Sequence, residues 1–398
     1  MHLSKKALKV KSSSTLEISA MSKELRAKGV DVISFGAGEP DFDTPEHVKK
    51  AAIRAIEEGF TKYTDTSGIF ELREAICQKL LRENGLAYTP EQIVVSNGAK
   101  HSLHNVFAAI IDPGDEVLIP APYWLSYPEM VSLAGGVPVF LYTKQEDGFV
   151  VTKEQFEKAL SPRTRAILIN SPCNPTGVVY TREQLRMVAD FAIQHSLFVI
   201  SDEIYECLAY DSEERPVSIA ALGQEIYDST IVVNGLSKSH AMTGWRMGYT
   251  ASSPALAKAM ANIQSHSTSN ISSITQKAAC AALADGDDSV RQMRAAFKER
   301  RDYIYERVSA LPYVSALKPQ GAFYIFVNVE ALCGKAWRGK TLQNTAEIGR
   351  LLIEEYQVAV VPGADFGYVN YIRLSYATSL ADIQKGMDRI AAFLAEVR

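Results

Sequence analysis

No stretch of this 398-residue chain stays apolar for the roughly 18 residues that a bilayer crossing needs, so no membrane partner is expected. An apolar secretory core is also missing from the N-terminus, and a cytoplasmic protein is expected. Excess charge is lacking as well: 42 Lys and Arg against 46 Asp and Glu give a formal net charge of -4, with no basic block. That balance gives no footprint for nucleic acid. Cysteines are few: Cys77, Cys173, Cys207, Cys280 and Cys333 form no CxxC pair and have no histidine at ligand spacing. Reduced thiols and no metal site follow. Internal repeats and low-complexity linkers are absent too. One stretch runs against the average composition: Lys5, Lys6, Lys9 and Lys11 with Ser12 to Ser14 and no acid before residue 15, a pattern also found in organelle transit peptides.

With 47% hydrophobic residues the chain is long enough for two lobes, because single cores stop growing near roughly 250 to 300 residues. Thr44 is placed to cap a helix with Pro45 at its first position. Val48, Ala51, Ala52, Ala55 and Ile56 repeat at helical period, and Gly59 ends the pattern. After a second helix over residues 72–81, β-branched runs occur at 93–95, 117–119, 137–141, 166–170, 198–201 and 231–233, most of them separated by helical patterns. Apolar strands alternating with helices predict an α/β fold whose large lobe has a mainly parallel sheet covered by helices, with ligands at the strands' C-terminal ends. From about residue 290 the pattern changes. A polar helix over 291–307, strands at 322–327 and 371–375, and helices at 345–356 and 380–397 predict a smaller α+β lobe. The expected division is 45–290 for the large domain, and 1–44 with 291–398 for the small domain and an N-terminal arm.

Several strand ends carry chemistry. Asn234-Gly235-Leu236-Ser237-Lys238 follows an apolar strand and sets a lysine among small residues. A lone lysine there is ordinarily solvated, but a desolvated one beside positive charge loses proton affinity and can form an imine. The strand Phe198 to Tyr205 ends at Asp202, a carboxylate that is costly to bury unless it meets a cation; a helix N-cap is the other reading. Asn170-Ser171-Pro172-Cys173-Asn174-Pro175-Thr176-Gly177 is a stiff turn, and nothing near Cys173 would activate its thiol. Val95-Ser96-Asn97-Gly98-Ala99-Lys100 runs from strand to helix, where free amides suit an anion. Arg373 in Tyr371-Ile372-Arg373-Leu374-Ser375 lies between apolar neighbours and needs an anion of its own.

These segments, from Gly36-Ala37-Gly38-Glu39-Pro40-Asp41-Phe42 to the Arg373 strand, resemble in order and spacing the class I aminotransferases of the fold-type-I pyridoxal-phosphate superfamily. The run Ser237-Lys238-Ser239-His240-Ala241-Met242-Thr243-Gly244-Trp245-Arg246 is similar to that family's lysine motif. The resemblance implies that Lys238 carries pyridoxal 5'-phosphate as a Schiff base, that Asp202 holds the ring nitrogen, and that Tyr205 and Asn174 meet the ring's phenolic oxygen. It assigns the phosphate to Ser237, Arg246, Gly98, Ala99 and Lys100. Trp124, in Pro122-Tyr123-Trp124-Leu125-Ser126-Tyr127-Pro128, would stack on the ring; on composition it is equally a core residue. Gly38, Trp124, Asn174 and Arg373 would bind the substrate, Arg373 through its α-carboxylate. Tyr63 would reach the phosphate of a second subunit, implying a homodimer with shared active sites.

Within the family the chain is similar to the bacterial and thermophile-type aspartate aminotransferases. Residues 262–275 contain no Arg or Lys for a side-chain carboxylate. In that subgroup Lys100, with Thr15 from the arm, takes the task, although Lys100 can also be read as solvated. The expected reaction is ping-pong transfer from aspartate to 2-oxoglutarate, giving oxaloacetate and glutamate, with Lys238 moving the Cα proton. Alternatives are a preference for prephenate, met through Lys11, for aromatic or other amino acids, or a β-lyase reaction. A cofactor-sensing regulator would need a DNA-binding segment that is missing before residue 30.

Overall fold

The computed structural model describes residues 2–4, 8, 14–211, 216–284 and 288–398, without the side chains of residues 14–16 and 19. Its strands are β1 (Ile33–Ser34), β2 (Ile93–Ser96), β3 (Glu116–Ala121), β4 (Val137–Tyr142), β5 (Thr164–Asn170), β6 (Phe198–Asp202), β7 (Thr230–Gly235) and β8 (Gly248–Ala251). They continue with β9 (Ser315–Ala316), β10 (Tyr324–Asn328), β11 (Ala336–Trp337), β12 (Lys340–Thr341), β13 (Val358–Ala359), β14 (Val361–Pro362) and β15 (Tyr371–Ser375).

Seven strands form one sheet in the order β2-β8-β7-β6-β5-β3-β4. Neighbours from β7 to β4 are parallel, and β8 runs antiparallel between β2 and β7. All six residues of β7 and four of five in β6 are buried, as expected for a sheet covered on both faces. Each buried Val or Ile there contributes roughly 1.5–3 kcal/mol. The helices covering it include Glu46–Glu57, Phe70–Asn84, Ala99–Ile110 and Arg182–Gln194. Because β2, β3, β5, β6 and β7 point the same way, Ser96, Ala121, Asn170, Asp202 and Gly235 end at one edge. The predicted α/β architecture is therefore present, with its motifs at the carboxyl ends.

A second sheet, β14-β15-β10-β9, is antiparallel throughout. Helices Ser289–Ser309, Thr345–Tyr356 and Leu380–Ala395 pack on it through Phe297, Ile304, Ile348, Leu352, Met387 and Phe393. The segment before residue 44 joins this part: β1 pairs in parallel with β13, and Phe35 N–H donates to Ala359 O at 2.8 Å.

One local expectation needs correction, and two elements were not announced by the sequence. Thr44 does not cap the helix, which spans Glu46–Glu57 after Pro45 without a side-chain cap. Its hydroxyl donates to Ala241 O at 2.8 Å and accepts the Trp245 Nε1 proton at 2.9 Å, so it anchors the segment after Lys238 instead. Strand β8 carried no apolar run to announce it. Gly248 lets it pass beneath the Ala99–Ile110 helix, since a Cβ there would collide with the backbone of Gly98 and Ala99. Helix Ser14–Ala27 was likewise not anticipated. No described helix is long and apolar enough to cross a membrane.

Candidate active site

A cavity of about 460 Å³ opens at the carboxyl edge of the large sheet, and residues from both sheets line it. The turn after β7 sets its floor. Asn234 Oδ1 accepts the Gly235 amide proton at 2.7 Å while Asn234 Nδ2 donates to Glu206 Oε1 at 2.7 Å, so the residues before the lysine are held by their own side chain. Lys238 then projects into the cavity, where Nζ donates to the carbonyl of Gly38. Burial strips its hydration, and Arg246 and Arg373 repel its charge. Against the attraction of Glu39 and Asp202, these effects bring its pKa down to about 8.

Asp202, only 3% exposed, faces the same space from the end of β6. Its Oδ1 accepts the Ile204 amide proton at 3.2 Å and its Oδ2 accepts the Tyr127 hydroxyl proton at 2.7 Å. The first bond has the form of a local cap, but no α-helix begins there; the chain makes only a short 3-10 turn, Glu206–Leu208. Burial pushes the Asp202 pKa up to about 6, although Tyr127, the Ile204 amide and Lys238 all favour the carboxylate. Tyr205 is buried beside it, its hydroxyl 3.0 Å from that of Tyr324, and burial holds its proton well beyond the usual phenol range.

Arg373 enters from β15, where it pairs with Phe326 of β10 and Val361 of β14. Although only 2% exposed, it has no carboxylate partner among the described residues. Its Nη1 donates to Asn174 Oδ1 at 3.0 Å, its guanidinium lies 4.3 Å from the Tyr324 ring centre, and its buried Nε has no acceptor. Burial lowers its pKa. The Asn174 loop is itself tied in place, because the Asn174 amide donates to Asn170 Oδ1 at 2.9 Å and Asn170 Nδ2 donates to Asp202 O at 3.0 Å.

At the opposite end, Gly98 has φ +84° and precedes the helix Ala99–Ile110; the amides of His101 and Ser102 donate to Gly98 O, while those of Ala99 and Lys100 have no intrahelical acceptor. A Cβ on Gly98 would strike the guanidinium of Arg246, which donates to Thr243 O at 2.9 Å and Asn97 O at 3.3 Å. Ser237 is buried on the same wall. Amides, a hydroxyl and a guanidinium converging on a glycine-lined hollow form a donor set for a phosphate-sized anion. Trp124 stands over the cavity with Lys100 Nζ 4.9 Å from its ring centre, and burial together with Arg246 lowers the pKa of Lys100.

Lys238, Asp202, Tyr205, Asn174, Ala99, Lys100, Trp124, Ser237, Arg246, Gly38 and Arg373 all line this one cavity, with Gly98 directly beneath Arg246. Tyr63 is not among the lining residues; it is 90% exposed on the outer surface. Thr15 belongs to helix Ser14–Ala27 but its side chain lies outside the described residues, as does Lys11 altogether. Sequence reasoning missed Tyr127, Tyr324 and Glu39, which also line the cavity. Tyr127 lies within the motif quoted for Trp124, and Glu39 within the one quoted for Gly38. Tyr324 had no signal beyond its place in an apolar strand. Burial raises the pKa of Cys173, which leaves the thiol poorly suited to nucleophilic attack.

Comparison with known proteins places the whole chain among aminotransferases. Residues 30–390 match the family model described as aminotransferase class I and II. The chain is 46% identical over 394 residues to the aspartate aminotransferase of Geobacillus stearothermophilus, covering 99% of each chain. It is 48% identical over 390 residues to a probable aspartate/prephenate aminotransferase of Aquifex aeolicus, covering 98% of this chain and 97% of that one. A crystal structure of the aspartate aminotransferase from Rhizobium meliloti superposes with a TM-score of 0.96 at 41% identity over 100% of both chains.

Proposed function

The chain belongs to the aminotransferase class I and II family, and from that premise we infer that it transfers the amino group of aspartate to 2-oxoglutarate with pyridoxal phosphate as cofactor. One observation carries the reading: a buried, carboxylate-free Arg373 shares a cavity with a lysine whose pKa is brought down to about 8. A buried unpaired guanidinium is expensive. A substrate α-carboxylate would engage it through two parallel hydrogen bonds and supply the missing acceptor at Nε.

The donor set fits the cofactor. Gly98, Ala99, Lys100, Ser237 and Arg246 would hold its phosphate, Trp124 its ring face, Tyr205 and Asn174 its phenolic oxygen, and Asp202 its ring nitrogen, with Lys238 as the covalent anchor. Bound there, pyridoxal phosphate supplies an electron sink for the charge that develops at the substrate's Cα. The protein's own work is proton handling and orientation. Arg373 and Asn174 fix the α-carboxylate, which sets the Cα–H bond toward the Lys238 amine. Near neutral pH a lysine with this lowered pKa is uncharged in an appreciable fraction of molecules, so it can accept the Cα proton and give it back. Asp202 keeps a negative charge next to the ring nitrogen while this happens. Lys100 and Thr15 would receive the side-chain carboxylate of aspartate.

A homodimer is part of the proposal, with Tyr63 of each chain completing the other's phosphate site. Exposed Ile53, Ile56 and Phe70, on the helices that flank Tyr63 in sequence, support a covered surface there. Residues 45–290 are proposed as the large cofactor-binding domain, and 1–44 with 291–398 as the small domain and N-terminal arm. The name of the Aquifex relative favours prephenate as a second substrate.

The test is a panel of amino donors with 2-oxoglutarate, run on the wild type and on Lys238→Ala. Aspartate should lead the panel and the variant should lose all turnover. Residual transamination in the variant, or a borohydride adduct on another residue, refutes the assignment of Lys238.

A further inference from the structure

We propose that Tyr127 is a positioning residue for the reaction: its hydroxyl keeps Asp202 anionic and correctly turned, so that the proton between the carboxylate and the cofactor's ring nitrogen stays on the nitrogen. This rests on the proposed pairing of Asp202 with that nitrogen. Both oxygens of Asp202 already have a donor, Oδ1 the Ile204 amide at 3.2 Å and Oδ2 the Tyr127 hydroxyl at 2.7 Å. Two donors on opposite oxygens fix the plane of the carboxylate, and the lone pairs left over face the cavity that Asp202 and Tyr127 both line. Tyr127 is itself immobilised: it is 1% exposed, its amide donates to Trp124 O at 3.0 Å, and its ring meets Trp124 edge-on at 5.3 Å and 86°. A single turn thus carries both the ring-stacking tryptophan and the donor that orients Asp202.

The physical argument concerns which of two bases holds one proton. A hydrogen bond donated to a carboxylate stabilises its charged form and weakens its hold on protons. Burial acts on Asp202 in the opposite sense, so without Tyr127 the carboxylate is the more basic partner. The N–H bond breaks and an O–H bond forms as the proton moves along one N–H···O contact, from the ring nitrogen to Asp202. A ring that loses this proton withdraws electrons from Cα less strongly, which slows proton abstraction by Lys238 without altering how Arg373 grips the carboxylate.

The experiment uses the holoenzyme loaded with pyridoxal phosphate labelled with 15N in the ring, and reads the ring nitrogen's chemical shift. Wild type should give the value of a protonated pyridine. Tyr127→Phe, which keeps the packing against Trp124, should move the signal toward the unprotonated value. It should also lower kcat roughly ten- to a hundredfold, the size expected for one lost hydrogen bond to a charged group, while KM for aspartate changes little. Replacing Tyr127 with 3-fluorotyrosine, which restores the donor, should return the signal to the wild-type position. An unmoved signal in Tyr127→Phe, or no recovery with the fluorinated residue, overturns the proposal. Asp202→Asn separates the two levels: if that variant also leaves the signal unmoved, the pairing of Asp202 with the ring nitrogen fails as well.

Discussion

Replacing Asp202 by asparagine should stabilise the cofactor-free protein above neutral pH even as it destroys the site. In the folded chain the carboxyl pKa is pushed up to about 6 by burial, against an ordinary value of 3.8. A group that holds its proton more tightly when folded weakens folding as pH rises through the unfolded value, and the loss is complete above the folded one. At about 1.4 kcal/mol per pKa unit, the ionised Asp202 costs about 3 kcal/mol at pH 8 and about 0.5 kcal/mol at pH 4. Asparagine removes that pH-dependent term but weakens the bond from Tyr127, at roughly 1 kcal/mol. The variant should therefore be about 2 kcal/mol more stable at pH 8 and about 0.5 kcal/mol less stable at pH 4. Lys238 does not intrude, because its lowered pKa acts between about 8 and 10.5. Urea unfolding of both apo-proteins at fixed protein concentration, repeated from pH 4 to 8, measures the difference. A stability difference that stays constant across this range, or one that disfavours asparagine at pH 8, refutes the electrostatic account of the site.

Two further outcomes follow from the charges. Lys100→Glu should lower kcat/KM for aspartate roughly 10- to 100-fold, as expected when one charged contact is reversed, and leave apolar donors much less affected; equal losses remove Lys100 from substrate recognition. Glu206→Gln should reduce the stability of the protein by about 3 kcal/mol in urea titrations, the low end for a broken buried pair, because it leaves the buried ammonium of Lys79 with Glu83 at 3.6 Å as its carboxylate. In the structure Glu206 pairs with Lys79 and accepts from Asn84 and Asn234 at 2.7 Å each; a loss below about 1 kcal/mol, the scale of an exposed pair, would show that Lys79 is not held by this carboxylate.

Much of the site was readable because its parts sit where parallel strands stop. Asp202 and Lys238 each lie within a few residues of the end of an apolar run, and the motifs around them stand where such runs stop. Arg373 was equally visible, as a charge enclosed by Tyr371, Ile372 and Leu374. Tyr127 was not, since an aromatic beside Trp124 looks like core until the fold brings in a carboxylate from 75 positions away. Tyr324 fails for the same reason: only the pairing of β10 with β15 sets its hydroxyl against Tyr205 and its ring against Arg373. Strand β8 escaped because four residues, Gly248 to Ala251, are too few to display alternation, and its reversed direction depends on partners on both sides. Thr44 carried a true capping signal, but a tertiary contact with Ala241 and Trp245 won its hydroxyl.

The guanidinium of Arg373 reaches Gly36 O across 337 positions of sequence, and β1 lies beside β13. On the ribosome, then, the strand ends that bear Asp202 and Lys238 emerge and can begin to fold long before the Arg373 wall of their cavity exists. Nascent protein passes through an interval in which the Lys238 amine is already made but the guanidinium that faces it is not.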